Sequence, residues 1–144
     1  DRLTLLFLVA ALIGAVLAPT AALAHQTKAV GDGQYQLVVG FVTEPIYTDQ
    51  RNGLDLRIRH TENLQPIEFL EDTIFAEIIA PDGLTKRTLP IRARYGMPGA
   101  YTSDIVLTQP GEYQVRIWGR IYDVEFEEVF NLHEVGSLSD LRFP

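Results

Sequence analysis

The chain carries 144 residues, no cysteine and a formal net charge of −7. Without thiols there are no disulfide staples, thiolate metal sites, thiol catalysis or thioether-linked haem, so an exported domain of this kind must stand on its apolar core. The acidic balance argues against a nucleic-acid partner, which calls for a basic face; it fits a soluble exported protein and mildly favours cations.

Residues 3–18 read LTLLFLVAALIGAVLA, without a charge, behind Arg2. Pro19 breaks that apolar helix, and Ala22-Leu23-Ala24 has the small-x-small form of a signal-peptidase site. A basic flank, an apolar core and a small-residue end are the three parts of a secretory signal. The pattern predicts a signal peptide over residues 1–24, cleaved before His25, with export to the periplasm or the extracellular face of the membrane. A retained transmembrane anchor needs about 20 apolar residues, and this run is shorter. An anchor or a filament helix also leaves Ala22-Leu23-Ala24 without a purpose. Cleavage leaves residues 25–144, a comfortable length for one β-sandwich.

After His25 a polar lead-in ends at Gly31-Asp32-Gly33, and from there the apolar period is two. Tyr35, Leu37, Val39 and Phe41 share one face, followed by Leu54, Leu56 and Ile58, then Ile74, Ala76 and Ile78. Leu89, Ile91 and Ala93 continue the pattern, as do Tyr101, Ser103, Ile105 and Leu107, then Tyr113, Val115 and Ile117. The last row, Val124, Phe126, Glu128, Phe130 and Leu132, carries one acid. Alternation of this kind marks strands buried on one side and wet on the other. Asn52-Gly53, Pro81-Asp82-Gly83, Met97-Pro98-Gly99 and Gln109-Pro110-Gly111 supply the turns between them. The expectation is an all-β, Ig-like antiparallel sandwich of about seven strands over residues 25–134, followed by a polar tail over residues 135–144. Gly111-Glu112-Tyr113 resembles a tyrosine corner, in which the hydroxyl ties back to the preceding loop. Trp118 falls on the opposite parity to Tyr113, Val115 and Ile117, so it either covers the outer sheet face or marks a contact surface.

No Gly-rich phosphate loop and no Gly-x-Ser-x-Gly elbow occurs. Ser103, Ser137 and Ser139 lie in no recognisable catalytic setting, and acid pairs such as Glu71-Asp72 and Glu127-Glu128 read as solvated strand and loop acids. The expectation is a non-catalytic protein. Metal chemistry has more to build on. The chain holds three histidines: His25, His60 and His133. Once it is N-terminal, His25 chelates an ion through its α-amine and its ring together. Cu(II) suits nitrogen donors in a tetragonal arrangement and heads the divalent affinity series; a second imidazole and a carboxylate or water would complete the site. His60 ends a core-facing row, either as a ligand or as a hydrogen-bonded histidine closing the core. His133 ends the last strand beside Glu134, as a ligand or as an exposed loop residue. Between two apolar strands, Thr43-Glu44-Pro45-Ile46-Tyr47 aims the Glu44 side chain in one direction, because Pro45 restricts the residue before it. That loop is a binding loop or simply a well-built connection.

Taken together, AHQ at the cut, GFVTEPIYTDQRNGLDLRI, MPGAYTSDIVLTQPGEYQVRIWG and DVEFEEVFNL resemble exported bacterial Ig-like sandwiches, the CopC-like and YtkA-like copper-associated domains. The likeness spans most of residues 25–144. It implies that an N-terminal histidine helps bind Cu(II), with a further histidine and an acid from later in the chain. His25 matches the first; His133 matches the later histidine by position alone, and no Asp-x-His pair of the CopC type is present. Gly99-Ala100-Tyr101 and Gly111-Glu112-Tyr113 are shared by many Ig-like domains. The function expected is copper binding or handling at the cell envelope. The alternative is a metal-free interaction module that docks on an envelope or membrane protein through a sheet face around Trp118.

Overall fold

Burying apolar rows of period two requires two sheets facing each other, and the computed structural model, which describes residues 25–144, has that arrangement. The strands are β1 (Gln26–Val30), β2 (Tyr35–Phe41), β3 (Arg51–His60), β4 (Ile74–Ile79), β5 (Lys86–Leu89), β6 (Arg92–Ala93), β7 (Ala100–Val106), β8 (Gly111–Ile121) and β9 (Val124–Val135). A single 3₁₀ turn, Leu138–Leu141, follows. One sheet has five strands in the order β1-β2-β3-β7-β6; the other has four in the order β5-β4-β8-β9. All these pairings are antiparallel. The expected signal helix falls on residues 1–24, which lie outside the described residues.

Two details raise the strand number above the expected seven. The polar lead-in after His25 is itself a strand. Its inward-facing positions are Gln26, Lys28 and Val30, opposite Val39, Leu37 and Tyr35. Long polar side chains serve there because β1 is an edge that must reach the other sheet. The Lys28 ammonium donates to the Val129 carbonyl at 2.6 Å and sits 5.3 Å above the Phe130 ring. The Asn131 N–H donates to Gln26 Oε1 at 3.1 Å. Polar tips on apolar stems close the open side of the sandwich without exposing the core. The second detail is the row Leu89, Ile91, Ala93, which divides between sheets. β5 pairs with β4, whereas β6 pairs with β7. Pro90 stands at the division, where a residue without an N–H cannot extend a ladder.

Two tyrosines hold the connections. The Tyr113 hydroxyl donates to the Gln109 carbonyl at 2.7 Å, the tyrosine corner anticipated from Gly111-Glu112-Tyr113. Tyr101 is fully buried; its hydroxyl donates to the Ile67 carbonyl at 2.6 Å and accepts from the Leu70 N–H at 3.2 Å. Those two bonds, with the buried Ile67 and Leu70 side chains, pin the long connection between β3 and β4 against the core. Where that connection meets β8, Gly119 adopts φ +135°, and a Cβ there would lie 2.1 Å from the Thr73 carbonyl oxygen. Only glycine permits so close an approach.

Tyr101→Phe leaves the Ile67 carbonyl and the Leu70 N–H without their partner in a dry setting, and is expected to cost about 1–3 kcal/mol in a urea titration. Burial pushes the Tyr101 phenol above its ordinary 10.0. The folded state therefore keeps the phenol neutral where the unfolded chain ionises it. Its contribution to stability is present below pH 10 and is lost as pH rises through the higher folded value, a slope that the Phe variant should lack.

Candidate functional site

Leu54, Leu56 and Ile58 face the core, so Asp55, Arg57 and Arg59 face outward from the middle strand of the five-stranded sheet. Asp55 stands opposite Gly40 on β2 and Thr102 on β7. Despite pointing out, it is only 4% exposed. Three side chains cover it. His25, just before β1, approaches Asp55 Oδ2 through Nε2 at 3.0 Å. The Arg57 guanidinium lies 3.4 Å from Oδ1, and the Arg94 guanidinium, just beyond β6, is also 3.4 Å from Oδ1. His25 gets there because position 40 has no side chain: a Cβ on Gly40 would lie 2.6 Å from the ring carbon Cδ2. A bare glycine on β2 thus makes the seat for the imidazole.

The other ring nitrogen, Nδ1, faces Glu44 Oε1 at 3.9 Å, beyond hydrogen-bond range. Glu44 is held in place by its loop. Its Oε1 accepts the Phe41 N–H at 3.3 Å, and the Glu44–Pro45 peptide is cis. Asn52 clamps the loop by accepting the Thr43 and Gly53 N–H groups at 3.0 and 2.8 Å and donating to the Thr43 carbonyl at 2.9 Å. Downstream, the Thr48 N–H donates to Gly136 at 2.9 Å, which ties the loop to the end of β9. The connection is therefore well built and also presents an acid.

The remaining outward arginines pair elsewhere. Arg92 forks onto Asp104 at 2.9 and 3.2 Å, Arg51 lies 3.5 Å from the same carboxylate, and Arg59 donates to Gln36. The Arg92 hydrogen bonds, above all, hold the Asp104 carboxyl below its usual range.

The sequence-predicted residues separate into two groups. His25 and Glu44 come together. His60 does not join them: it lies five residues past Asp55 on β3, about 16 Å along an extended strand, and its ring packs against Tyr35 and Tyr122 at centroid distances of 5.7 and 6.3 Å. His133 stands near the end of β9 in the opposite sheet, beside the irregularity between Glu112 and Gln114. Trp118 lies on the outer face of the four-stranded sheet. It stacks on Phe75 at 5.7 Å, with the Arg116 guanidinium 3.9 Å from its ring centroid. Among the described residues, no three His, Cys, Asp or Glu side chains converge as a ready cation cage. What the His25 corner offers is one imidazole nitrogen and one carboxylate oxygen facing each other, with a second carboxylate orienting the ring. Asp55, Arg57, Arg94 and Gly40 were not evident as site residues beforehand. The available signal was the wet parity of LDLRIRH, where a lone acid between two leucines is followed by two arginines.

Asp55→Asn removes the charge that three cationic or donor groups share, and is expected to destabilise the protein by about 1–3 kcal/mol. Arg57→Ala, whose side chain is half exposed, should cost under about 1 kcal/mol. Urea midpoints of the two variants measure the difference.

No protein-family model matches the chain, and no curated protein does. Among solved structures, the fold is similar to that of a DUF4426 family protein from Pseudomonas aeruginosa PAO1, with a TM-score of 0.53 and 10% identity, over 78% of this chain and 95% of that one. It is also similar to a DUF4785 family protein from Legionella pneumophila, with a TM-score of 0.48 and 6% identity, over 72% of this chain and 28% of that one. The first likeness agrees with a two-sheet β fold.

Proposed function

We propose that the protein is an exported, non-catalytic Ig-like sandwich of the cell envelope that binds or handles copper through a processed N-terminus at His25. The observation that carries this reading is the pair of environments around one imidazole. Nε2 is fixed by Asp55 at 3.0 Å, while Nδ1 faces Glu44 at 3.9 Å. A carboxylate on the far ring nitrogen is how proteins orient a metal-binding histidine. Arg57 and Arg94 contact Asp55 Oδ1, and Arg57 also reaches Oδ2 at 3.5 Å, so Asp55 is taken up in holding the ring and Glu44 serves the ion. The span from Nδ1 to Oε1 suits two metal–donor bonds of about 2.0 Å each. In a chain beginning at His25, the α-amine lies on the Nδ1 side of the ring and closes a chelate there. Amine, imidazole and carboxylate form a donor set suited to Cu(II). In this reading His60 and His133 lie outside the ligand set. A second reading, a metal-free interaction module, draws on the half-exposed Phe75 beside Trp118.

Protein beginning at His25 is titrated with Cu(II) against a competing chelator, alongside protein with one residue added ahead of His25. The added residue should weaken binding by at least about 100-fold, Glu44→Gln by about 10-fold, and Asp55→Asn by about 10-fold through loss of ring orientation. His60→Ala and His133→Ala should bind as the parent does. Equal binding with and without the added residue would overturn the copper reading. So would an exported product whose intact mass retains residues 1–24.

A further inference from the structure

At the end of the sandwich where His60 lies, three large apolar side chains share an unusual combination of properties. Leu64, Phe69 and Tyr122 have φ of +59°, +65° and +52°. All three are exposed, at 55%, 81% and 59%. Among the described residues, the remaining non-glycine positions with positive φ are Asp32 and Asp49, short polar residues that visit this region readily. A bulky side chain in the left-handed region is strained, and exposure to water returns no packing for that strain. Such conformations persist only where the surroundings over-determine them, and they gather at functional sites. Here the surroundings do so: Tyr101 pins Ile67 and Leu70, and the Leu64 N–H donates to the His60 carbonyl at 3.0 Å. The β3–β4 connection is a rigid bracket that pushes Phe69 and Leu64 outward.

Phe69 forms the ridge between two depressions. One, of about 220 Å³, lies between Phe69, Glu71, Met97 and Pro98. The other, of about 620 Å³, is bounded by Pro66, Phe69, Arg120 and Tyr122. Arg120 gives the larger depression a cation beside Glu68, so the acidic character belongs to the bracket itself and to the smaller depression, lined by Glu68 and Glu71. Residues 61–73, TENLQPIEFLEDT, contain Glu62, Glu68, Glu71 and Asp72 and no lysine or arginine. Glu71 lines the first depression. Glu71 Oε2 is buried and has no hydrogen-bond partner among the described residues. Arg94 borders the same depression, but its guanidinium is directed at Asp55.

We infer that this end of the sandwich is a docking surface for a cationic, apolar segment of a partner protein. An apolar side chain of the partner packs against Phe69, and a lysine or arginine enters the smaller depression, where the Glu71 carboxylate turns its unpartnered oxygen toward it. The charge complementarity and the orphaned carboxylate oxygen select a basic segment over an acidic one. The inference is independent of copper, which the His25 corner would hold around Asp55 in the middle of β3, on the far side of the Arg94–Asp55 ion pair.

The test replaces Phe69 in the full chain with p-benzoylphenylalanine in the producing cells, with Leu84, exposed on the β4–β5 turn, as the control position. Cross-linked segments are identified by mass spectrometry, and the segment found is synthesised as a peptide. Expected is an adduct at 69 and not at 84, to a segment containing lysine or arginine beside apolar residues. That peptide should bind the parent protein and lose at least tenfold with Phe69→Ala and with Glu71→Gln. Phe69→Gly should keep or raise the melting temperature, since glycine relieves the positive φ. Adducts only to lipid or to a second copy of the chain, no adduct, the same adduct from position 84, or unchanged peptide affinity in both variants would each overturn the inference. A melting temperature several degrees lower in Phe69→Gly would do so as well, because the ring would then be a packing residue.

Discussion

The register of β3 between β2 and β7 is the constraint on which both the Asp55 corner and the His60 end of the molecule depend. Leu54, Leu56 and Ile58 are each essentially buried, and they match Phe41, Val39 and Leu37 across the β2 ladder. A slip of one residue would turn those three outward and drive Asp55, Arg57 and Arg59 into the core. Exposing three such side chains costs about 1.5–3 kcal/mol each, before the charge burial is counted, so the register has no competitor. Because it holds, Asp55 meets Gly40 at the middle of the strand and His60 meets Tyr35 at its end.

Around Asp55, small residues matter as much as charged ones. Gly40 on one side leaves room for an imidazole to lie against β2, while the guanidinium groups of Arg57 and Arg94 reach Asp55 Oδ1. The carboxylate becomes buried on the outward side of a sheet, covered entirely by polar groups. A buried charge requires partners, and the price of three of them is that the ring of His25 is held in one orientation. That orientation, with Glu44 on a clamped loop opposite, is what turns an ordinary ion pair into a candidate ligand site.

The His60 end follows a different logic. There the connection between β3 and β4 is anchored inward by Ile67, Leu70 and the Tyr101 hydroxyl, and strained outward at Leu64 and Phe69. The Tyr122 ring, on the β8–β9 turn, lies 6.0 Å from Tyr35 and shares the second depression with Phe69. Rigidity supplied by the core lets this end display apolar surface without collapsing onto itself. Preorganisation of that kind lowers the ordering cost of binding.

The apolar period of two was enough to set two facing sheets, the core rows and the tyrosine corner, because burial on one face writes itself directly into alternate residues. It was not enough for β1 or for the division at Pro90. β1 faces inward with Gln26 and Lys28, which carry no apolar signal, and β5 and β6 belong to different sheets although their residues share one parity. His25 and Glu44 were legible as chemistry-bearing residues because each stands at a conspicuous place in the chain, one at the end of an apolar leader and the other before a proline. Asp55, Arg94 and Gly40 were not, since they come from β3, the segment after β6, and β2, and sequence spacing says nothing about which strands lie side by side. By itself the sequence determined which face of most strands is buried, β1 and β6 excepted; only the tertiary structure decided which outward residues meet, because hydrogen-bonded register between distant strands, and not local pattern, sets those neighbours.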